Sequence, residues 1–327
     1  MERVLSGMRP TGYLHLGNYV GALRQWIQLQ DSYECFYMVA DLHAMTTEFD
    51  QNIDLKELTI EMVIDWLAAG VDPNKSVVFV QSTVPEHSEL FTILSMITPL
   101  GWLERNPTYK DAKENMKDKD LNNVGFLSYP VLQAADIIIY KATKVPVGKD
   151  QLPHLEITRE IVRRFNYLFG EVFPEPQAIL GEVPHVYGID GRKMSKSYNN
   201  AIYIKDSKEE ILKKVKMMVT DVGRPRRSDP GHPDDCKVFP LYKIFYPEIV
   251  DTVVEECTSA KIGCIECKDR IAKKLIEYLE PIKERRDYYE KHRDEVIDIL
   301  REGSKKAREV ASKTMEEVRN AIKIKYW

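Results

Sequence analysis

The chain has 327 residues, enough for about two domains that each bury a core. Its composition, 43% hydrophobic and 30% charged with a formal net charge of -4, is that of a globular protein and excludes one that binds nucleic acid by bulk positive charge. No apolar run approaches the ~18 residues that span a bilayer, and the N-terminus lacks the apolar stretch of a signal peptide, so a cytoplasmic protein with no membrane partner is expected.

Residues 3–8 read as a short buried strand running into the turn Arg9-Pro10-Thr11-Gly12. His15-Leu16-Gly17-Asn18 follows, then a helix in which Val20, Leu23 and Ile27 share a face. Strand, glycine-bearing turn and helix in that order put His15, Gly17 and Asn18 at a helix N-terminus, where free N–H groups and the helix dipole favour anions. A second strand over 35–40 ends in Asp41-Leu42-His43. A helix from about Leu55 to Ala69 stops at Gly70, residues 76–81 form a third strand, and Pro85 opens another helix with Leu90, Ile93, Leu94 and Ile97 on one face. Alternating helices and continuously apolar strands predict an α/β fold, a doubly wound parallel sheet of Rossmann-like type. Ligands of such sheets lie beyond the carboxyl ends of the strands, the edge to which Thr11, His15, Asp41 and His43 belong.

Residues 101–128, with Arg105, Lys110, Lys113, Lys117 and Lys119, read as a partly helical polar insertion and flap. The nearly all-apolar helix 129–140 carries Tyr129, Gln133 and Asp136 along one face, and its Gln and Asp need polar partners, from the protein or from a ligand. A strand over 144–147 delivers Gly148-Lys149-Asp150-Gln151 to the same edge, and a helix bearing Leu155, Ile161, Val162 and Phe165 packs back on the sheet. Residues 171–187, with three prolines, read as a linker. Beyond about residue 205 the pattern is helical: 211–219, 239–254, a long segment over 269–300 with Pro281 as a kink, a break at Gly303, and a final amphipathic helix. The expected division is a catalytic domain over 1–200 and an all-helical domain over 201–327.

The linker leads into Lys193-Met194-Ser195-Lys196-Ser197, a short cationic loop with several hydrogen-bond donors, suited to a polyphosphate. Neither the P-loop pattern nor Gly-x-Gly-x-x-Gly occurs, so a P-loop ATPase and a dinucleotide oxidoreductase are unsupported.

His15-Leu16-Gly17-Asn18 together with Lys193-Met194-Ser195-Lys196-Ser197 resembles the two signatures of class I aminoacyl-tRNA synthetases. The first departs from the usual His-Ile-Gly-His in ending with Asn, which keeps a donor but not a charge. The distance between the two is that of the compact members specific for tryptophan and tyrosine. The stretches Ser6 to Gly12, Asp41 to Ala44, Ala134 to Ile137 and Val145 to Gln151 resemble the tryptophan enzymes, and the likeness covers essentially the whole chain. The resemblance implies activation of L-tryptophan by Mg²⁺-ATP to the adenylate, transfer to the 3′ end of tRNA(Trp), and a homodimer. Tyrosine specificity and a non-catalytic tRNA-binding relative are the alternatives.

On that likeness Lys193, Lys196 and Ser195 face the β- and γ-phosphates, with Thr11, His15 and Asn18 opposite. Arg9, Gly12, Gly17, Gly148, Asp150, Met194 and Ser197 complete the ATP site, and Lys110 reaches pyrophosphate from the flap. For tryptophan, Asp136 suits the indole N–H, which only donates. Tyr129 and Gln151 are expected at the ammonium, with Gln133, His43 and Gly7 around the ring.

Cys236, Cys257, Cys264 and Cys267 have the spacing C-x20-C-x6-C-x2-C. Four such thiols in a reducing compartment suit a metal better than disulfides. With a single close pair, the run fits a [4Fe–4S] cluster better than Zn²⁺, which remains the alternative. Most tryptophan enzymes lack these cysteines, so the likeness is to a cluster-bearing subset, with the cluster away from the lysine loop in a structural or anticodon-binding role. Lys213, Lys214, Lys216, Arg224, Arg226, Arg227, Lys261 and Lys268 are the local positive charge expected near tRNA.

Overall fold

The computed structural model describes residues 1–107, 109, 121–148, 151–181 and 185–327, with Ser197 described by its backbone only. Two residues expected at the nucleotide site, Lys110 and Asp150, lie outside the described residues, as does the side chain of Ser197.

Five strands, β1 (Arg3–Met8), β2 (Glu34–Val39), β3 (Ser76–Val80), β4 (Lys144–Val147) and β5 (Gln177–Leu180), form one parallel sheet in the order β3-β2-β1-β4-β5. Along β2, Cys35, Tyr37 and Val39 enter one apolar core with Trp26 and Trp66, while Phe36 and Met38 enter the other with Phe79 and Leu90. Both faces are covered, which is why the strands read as unbroken apolar runs. The chain builds β2 and β3 on one side of β1 and then β4 and β5 on the other. Strand order therefore reverses between β1 and β4, and the crevice at their carboxyl ends is the expected ligand position. β5 lies in the stretch read as a linker; its four residues are half-buried or exposed and follow Pro174 and Pro176, so neither length nor burial announces a strand.

The helix after β1 starts as α1 (Leu16–Asn18), passes through a π-helical turn (Tyr19–Leu23) and continues as α2 (Arg24–Leu29). A helix not expected from the sequence, α3 (Asp41–Glu48), follows β2 directly. The next, α4 (Leu55–Ala69), has the expected bounds, since Asp54 caps its start by accepting from the Glu57 N–H and Gly70, at φ 121°, ends it. Then come α5 (Glu86–Ile97), α6 (Leu100–Glu104), α7 (Val124–Ile138), α8 (Leu152–Phe169) and α9 (Lys208–Met217). The expected Tyr129 helix starts earlier, at Val124, with the Asn123 side chain as its cap.

The remainder is helical but divided differently from the expectation. Pro247 splits the single helix expected over 239–254 into α10 (Phe239–Phe245) and α11 (Val250–Thr258). Next, α12 (Cys264–Lys291) runs through Pro281 without ending, and α13 (Arg293–Ala321) runs through Gly303, so the break falls at His292 instead. Gly303 serves approach rather than termination: a Cβ there would collide with the Val78 carbonyl, and the next residue, Ser304, accepts from the Val80 N–H at 3.4 Å. The last helix thus lies along β3, at the outer edge of the catalytic sheet.

Arg286 of α12 ties the helical part to α4, donating to Asp65 at 2.9 Å and to Glu61, while Arg293 reaches Glu57 and Glu61. Among the described residues no helix is long and apolar enough to cross a membrane.

Candidate active site

A cavity of about 920 Å³ opens at the switch point between β1 and β4. Gly7, Arg9, Thr11, His15, Asn18, His43, Tyr129, Gln133, Asp136, Gln151, Ser195 and Lys196 all line it, gathered from six segments of the chain. Gly12, Gly17, Gly148, Lys193 and Met194 are not in its lining.

The two signature segments are joined by backbone pairing. Leu16 N–H donates to Ile202 O at 2.9 Å and Ile204 N–H to Leu14 O at 3.0 Å, so the chain leaving the lysine loop runs antiparallel beside the histidine segment. Within that segment His15 caps α1: its Nδ1 accepts from Asn18 N–H at 3.3 Å while Asn18 Oδ1 accepts from His15 N–H at 3.2 Å. An accepting Nδ1 leaves the ring proton on Nε2. Burial, aided by Lys196 and Lys193, lowers the His15 pKa to about 4, so the imidazole is neutral at pH 7. The Asn at the last position of the motif is therefore a capping partner for the His. Gly17 also leaves room for the His15 ring, since a Cβ there would sit 2.9 Å from it.

Lys196 reaches across to the opposite turn, where its Nζ donates to Gly12 O at 2.7 Å, and Gly12 adopts φ 139°. Burial, together with the positive charge of Arg9, lowers the Lys196 pKa to about 8. The loop is less exposed than its composition suggests. Met194 is buried, and the buried Asn200 side chain accepts from Ser195 N–H at 2.9 Å and donates to Asp190 at 2.7 Å and Lys193 O at 3.2 Å. Lys193 remains exposed.

At the other end of the cavity Asp136 is 1% exposed. His43 Nε2 lies 2.7 Å from its Oδ2, His87 Nδ1 lies 2.6 Å from its Oδ1, and Gln81 Nε2 donates to both oxygens at 2.8 and 3.0 Å. Burial works to raise its pKa, but the charge and hydrogen bond of His43 and those of His87 outweigh it and hold the carboxyl at about 2. Tyr129 shares a hydrogen bond with His154 Nε2 at 2.8 Å, and burial raises its hydroxyl pKa to about 12. Gln81, His87, His154 and Asn200 were not marked by the sequence. Gln81 and His87 fall just past the end of β3, the edge already singled out for Asp41 and His43, and that position was the available signal.

The four cysteines are free thiols on the helical side, none in a disulfide. Burial pushes the Cys236 thiol pKa up, against the backbone N–H groups of Val238, Phe239 and Asp221, which lower it. Arg224 Nη1 lies 3.9 Å from Cys257 Sγ, and Gly231 leaves room that a Cβ would take from that sulfur. Arg224 is 7% exposed and donates to the carbonyls of Arg227 and Ile262, so it packs the cysteine region. Among the described residues no three His, Cys, Asp or Glu side chains stand where one metal ion would bind them. Lys237, next to Cys236, lies 4.8 Å over the Tyr187 ring, and a Cβ on Gly191 would touch it, so this region packs against the stretch that leads into the lysine loop. Beside the cysteines a second cavity of about 930 Å³ is lined by Arg226, Arg227, Arg270, Lys273 and Lys274, with Glu266, Asp269 and Glu277.

Sheet, switch-point cavity, histidine-capped helix and facing lysine loop define an α/β enzyme that holds a nucleotide with a helix terminus and loop side chains in place of a P-loop. Residues 1–280 match the family described as tRNA synthetases class I (W and Y), and the chain belongs to that family. It is 54% identical to the tryptophan–tRNA ligase of Thermotoga maritima over 99% of this chain and 100% of that one, and 45% identical to that of Aquifex aeolicus over 98% and 100%. A crystal structure of the Campylobacter jejuni tryptophanyl-tRNA synthetase, complexed with ADP and tryptophan, superposes with a TM-score of 0.88 at 36% identity, covering 98% of this chain and 99% of that one.

Proposed function

We propose that the chain is a tryptophan–tRNA ligase, which condenses L-tryptophan with Mg²⁺-ATP to tryptophanyl-adenylate and pyrophosphate and then passes the acyl group to the 3′ end of tRNA(Trp). The observation that carries this reading is an ionised, buried Asp136 at the floor of a cavity whose mouth holds His15, Thr11 and Lys196. A fixed acceptor at one end takes an indole N–H, and donors at the other end take phosphates. The identity to tryptophan enzymes favours this substrate over tyrosine.

No protein nucleophile is needed, because the substrate carboxylate attacks the α-phosphorus and pyrophosphate leaves. The protein positions the two reactants and stabilises the charge that grows on the leaving group. His15, as a neutral Nε2–H donor, and Thr11 and Asn18 serve one side of the triphosphate; Lys196, Lys193 and Ser195 serve the other. Lys196 would exchange the Gly12 carbonyl for a phosphate oxygen when ATP binds, which makes the loop a clamp already seated on the site. Arg9, Gly12, Gly148, Met194 and Ser197 complete the nucleotide site, and Tyr129 and Gln151 hold the ammonium. Mg²⁺ would neutralise phosphate charge. The helical residues 201–327 receive tRNA, the enzyme works in the cytoplasm as a homodimer, and the alternative of a non-catalytic relative loses ground to an intact lysine motif and Asp136.

The cysteines fit a [4Fe–4S] cluster held by Cys236, Cys257, Cys264 and Cys267. Burial pushes the Cys236 thiol up while the backbone N–H groups of Val238, Phe239 and Asp221 work the other way, and a metal that takes the thiolate would draw on those donors. The one close pair, Cys264 and Cys267, with two cysteines further along the chain, is the spacing that favours the cluster over zinc. When bound, the cluster would cross-link α11, α12 and the segment before α10. Anaerobic purification with visible absorbance and iron and zinc analysis tests this, and a colourless, metal-free protein of unchanged stability refutes it.

Tryptophan-dependent exchange of pyrophosphate into ATP, with tyrosine as the control, tests the activity. Exchange with tyrosine alone, or with neither, overturns the reading.

A further inference from the structure

Behind Asp136, away from the cavity, stands a residue that the proposed reaction leaves without a role. His87, in the first turn of α5, has no exposed surface and is absent from the cavity lining. Its Nδ1 lies 2.6 Å from Asp136 Oδ1 and its Nε2 lies 2.7 Å from the Tyr140 hydroxyl. An ionised carboxylate only accepts, so Nδ1 donates to Asp136, and Nε2 is left paired with the Tyr140 hydroxyl. Burial, with the negative charge of Asp136 and Glu86, keeps Tyr140 protonated. A buried chain results, linking Tyr140 through His87 to Asp136.

The need for such a chain follows from what surrounds the carboxylate. Among the described residues its ion-pair partners are two histidines, with no lysine or arginine against it. A carboxylate buried without a permanent cation takes up a proton unless several donors hold it ionised. Once protonated, Asp136 would turn from acceptor to donor and oppose an N–H placed before it.

We propose that His87, backed by Tyr140, is a positioning residue for the amino-acid substrate: it keeps Asp136 an oriented acceptor and so sets the preference for a ring that donates an N–H. This rests on the reading of Asp136 as the indole partner. The groups facing Asp136 are His43 from α3, Gln81 from the turn after β3 and His87 from α5, with Tyr140 and Glu86 behind His87.

The test is pyrophosphate exchange by the full chain with tryptophan and with the analogue whose ring N–H is replaced by sulfur. Exchange by the wild type with tryptophan establishes the underlying reading, and its absence overturns both. His87→Leu then raises KM for tryptophan about 10- to 100-fold, the range for one hydrogen bond to a charged group. KM for the sulfur analogue and for ATP change by less than about 3-fold on the same ground, because neither uses that hydrogen bond. The conservative His87→Asn, which keeps a donor near the Nδ1 position, recovers most of the loss. Tyr140→Phe, which removes one hydroxyl and keeps the ring, shifts KM the same way by a smaller factor and serves if His87→Leu does not fold. Equal losses for tryptophan and the sulfur analogue, or a fall in kcat at unchanged KM, overturn the proposal.

Discussion

Arg286→Met isolates the ion cluster that joins α12 to α4. Asp65 has no exposed surface and Glu61 has 6%, and Arg286 donates to both. Asp65 Oδ2 has no hydrogen bond among the described residues. Burial raises the Asp65 pKa to about 6 in spite of the guanidinium, whose own pKa rises because the acids favour its charge; the carboxylate loses more hydration than the pair restores. Removing the cation leaves two buried acids with Arg293 as their remaining partner, through Glu61, and losses of this kind amount to about 3–5 kcal/mol. The sign with pH follows from linkage. A carboxyl whose folded pKa lies above its unfolded value of about 3.9 costs no stability below pH 4 and its full amount above the folded pKa. In the wild type, stability contributed by Asp65 therefore falls between about pH 4 and 6, and in Arg286→Met the fall extends to higher pH. Each further unit of elevation adds about 1.4 kcal/mol to the cost at pH 8 relative to pH 5. Urea denaturation at both pH values, on Arg286→Met and on Arg286→Met with Asp65→Asn, reads the effect. The variant should be destabilised more at pH 8, and the second change should recover part of the loss there. Equal destabilisation at both pH values, or no recovery, would refute the account.

Lys196→Ala should lower the exchange rate about 10²- to 10³-fold, the effect of removing one donor to developing charge, while tryptophan affinity by equilibrium dialysis stays within about 3-fold. A matching fall in tryptophan affinity would show that the loop is not a phosphate clamp. Asn200→Ala frees the backbone at Ser195 and Lys193 and should raise KM for ATP about 10-fold, the worth of one net hydrogen bond, with KM for tryptophan nearly unchanged. Gly303→Ala forces α13 off β3 and should cost about 1–3 kcal/mol in urea, whereas alanine at an ordinary helical glycine would stabilise.

The parts legible from sequence were those with a local cause. Helix α4 has its acid cap and its terminal glycine, and β2 and β3 are nearly unbroken apolar runs. The signature residues stand together because a strand and a helix terminus deliver them to one edge. Contacts between distant segments were not legible. Nothing local to Gly303 distinguishes a helix stop from a site of close approach, since the deciding atom is the carbonyl of Val78. The short half-buried β5 depends on pairing with β4, and His87 acquires meaning only when α5 and α7 meet over Asp136.

The lie of α13 along β3 has a consequence for synthesis of the chain. Val80 leaves the ribosome long before Ser304, and at about 5–20 residues per second the interval is on the order of ten to forty seconds. Throughout it the outer backbone of β3 is an uncovered sheet edge, open to pairing with a neighbouring nascent chain. Chain elongation and safe completion of the catalytic sheet are thereby tied together: a ribosome stalled between α5 and α13 would release a half-formed enzyme with its stickiest edge exposed.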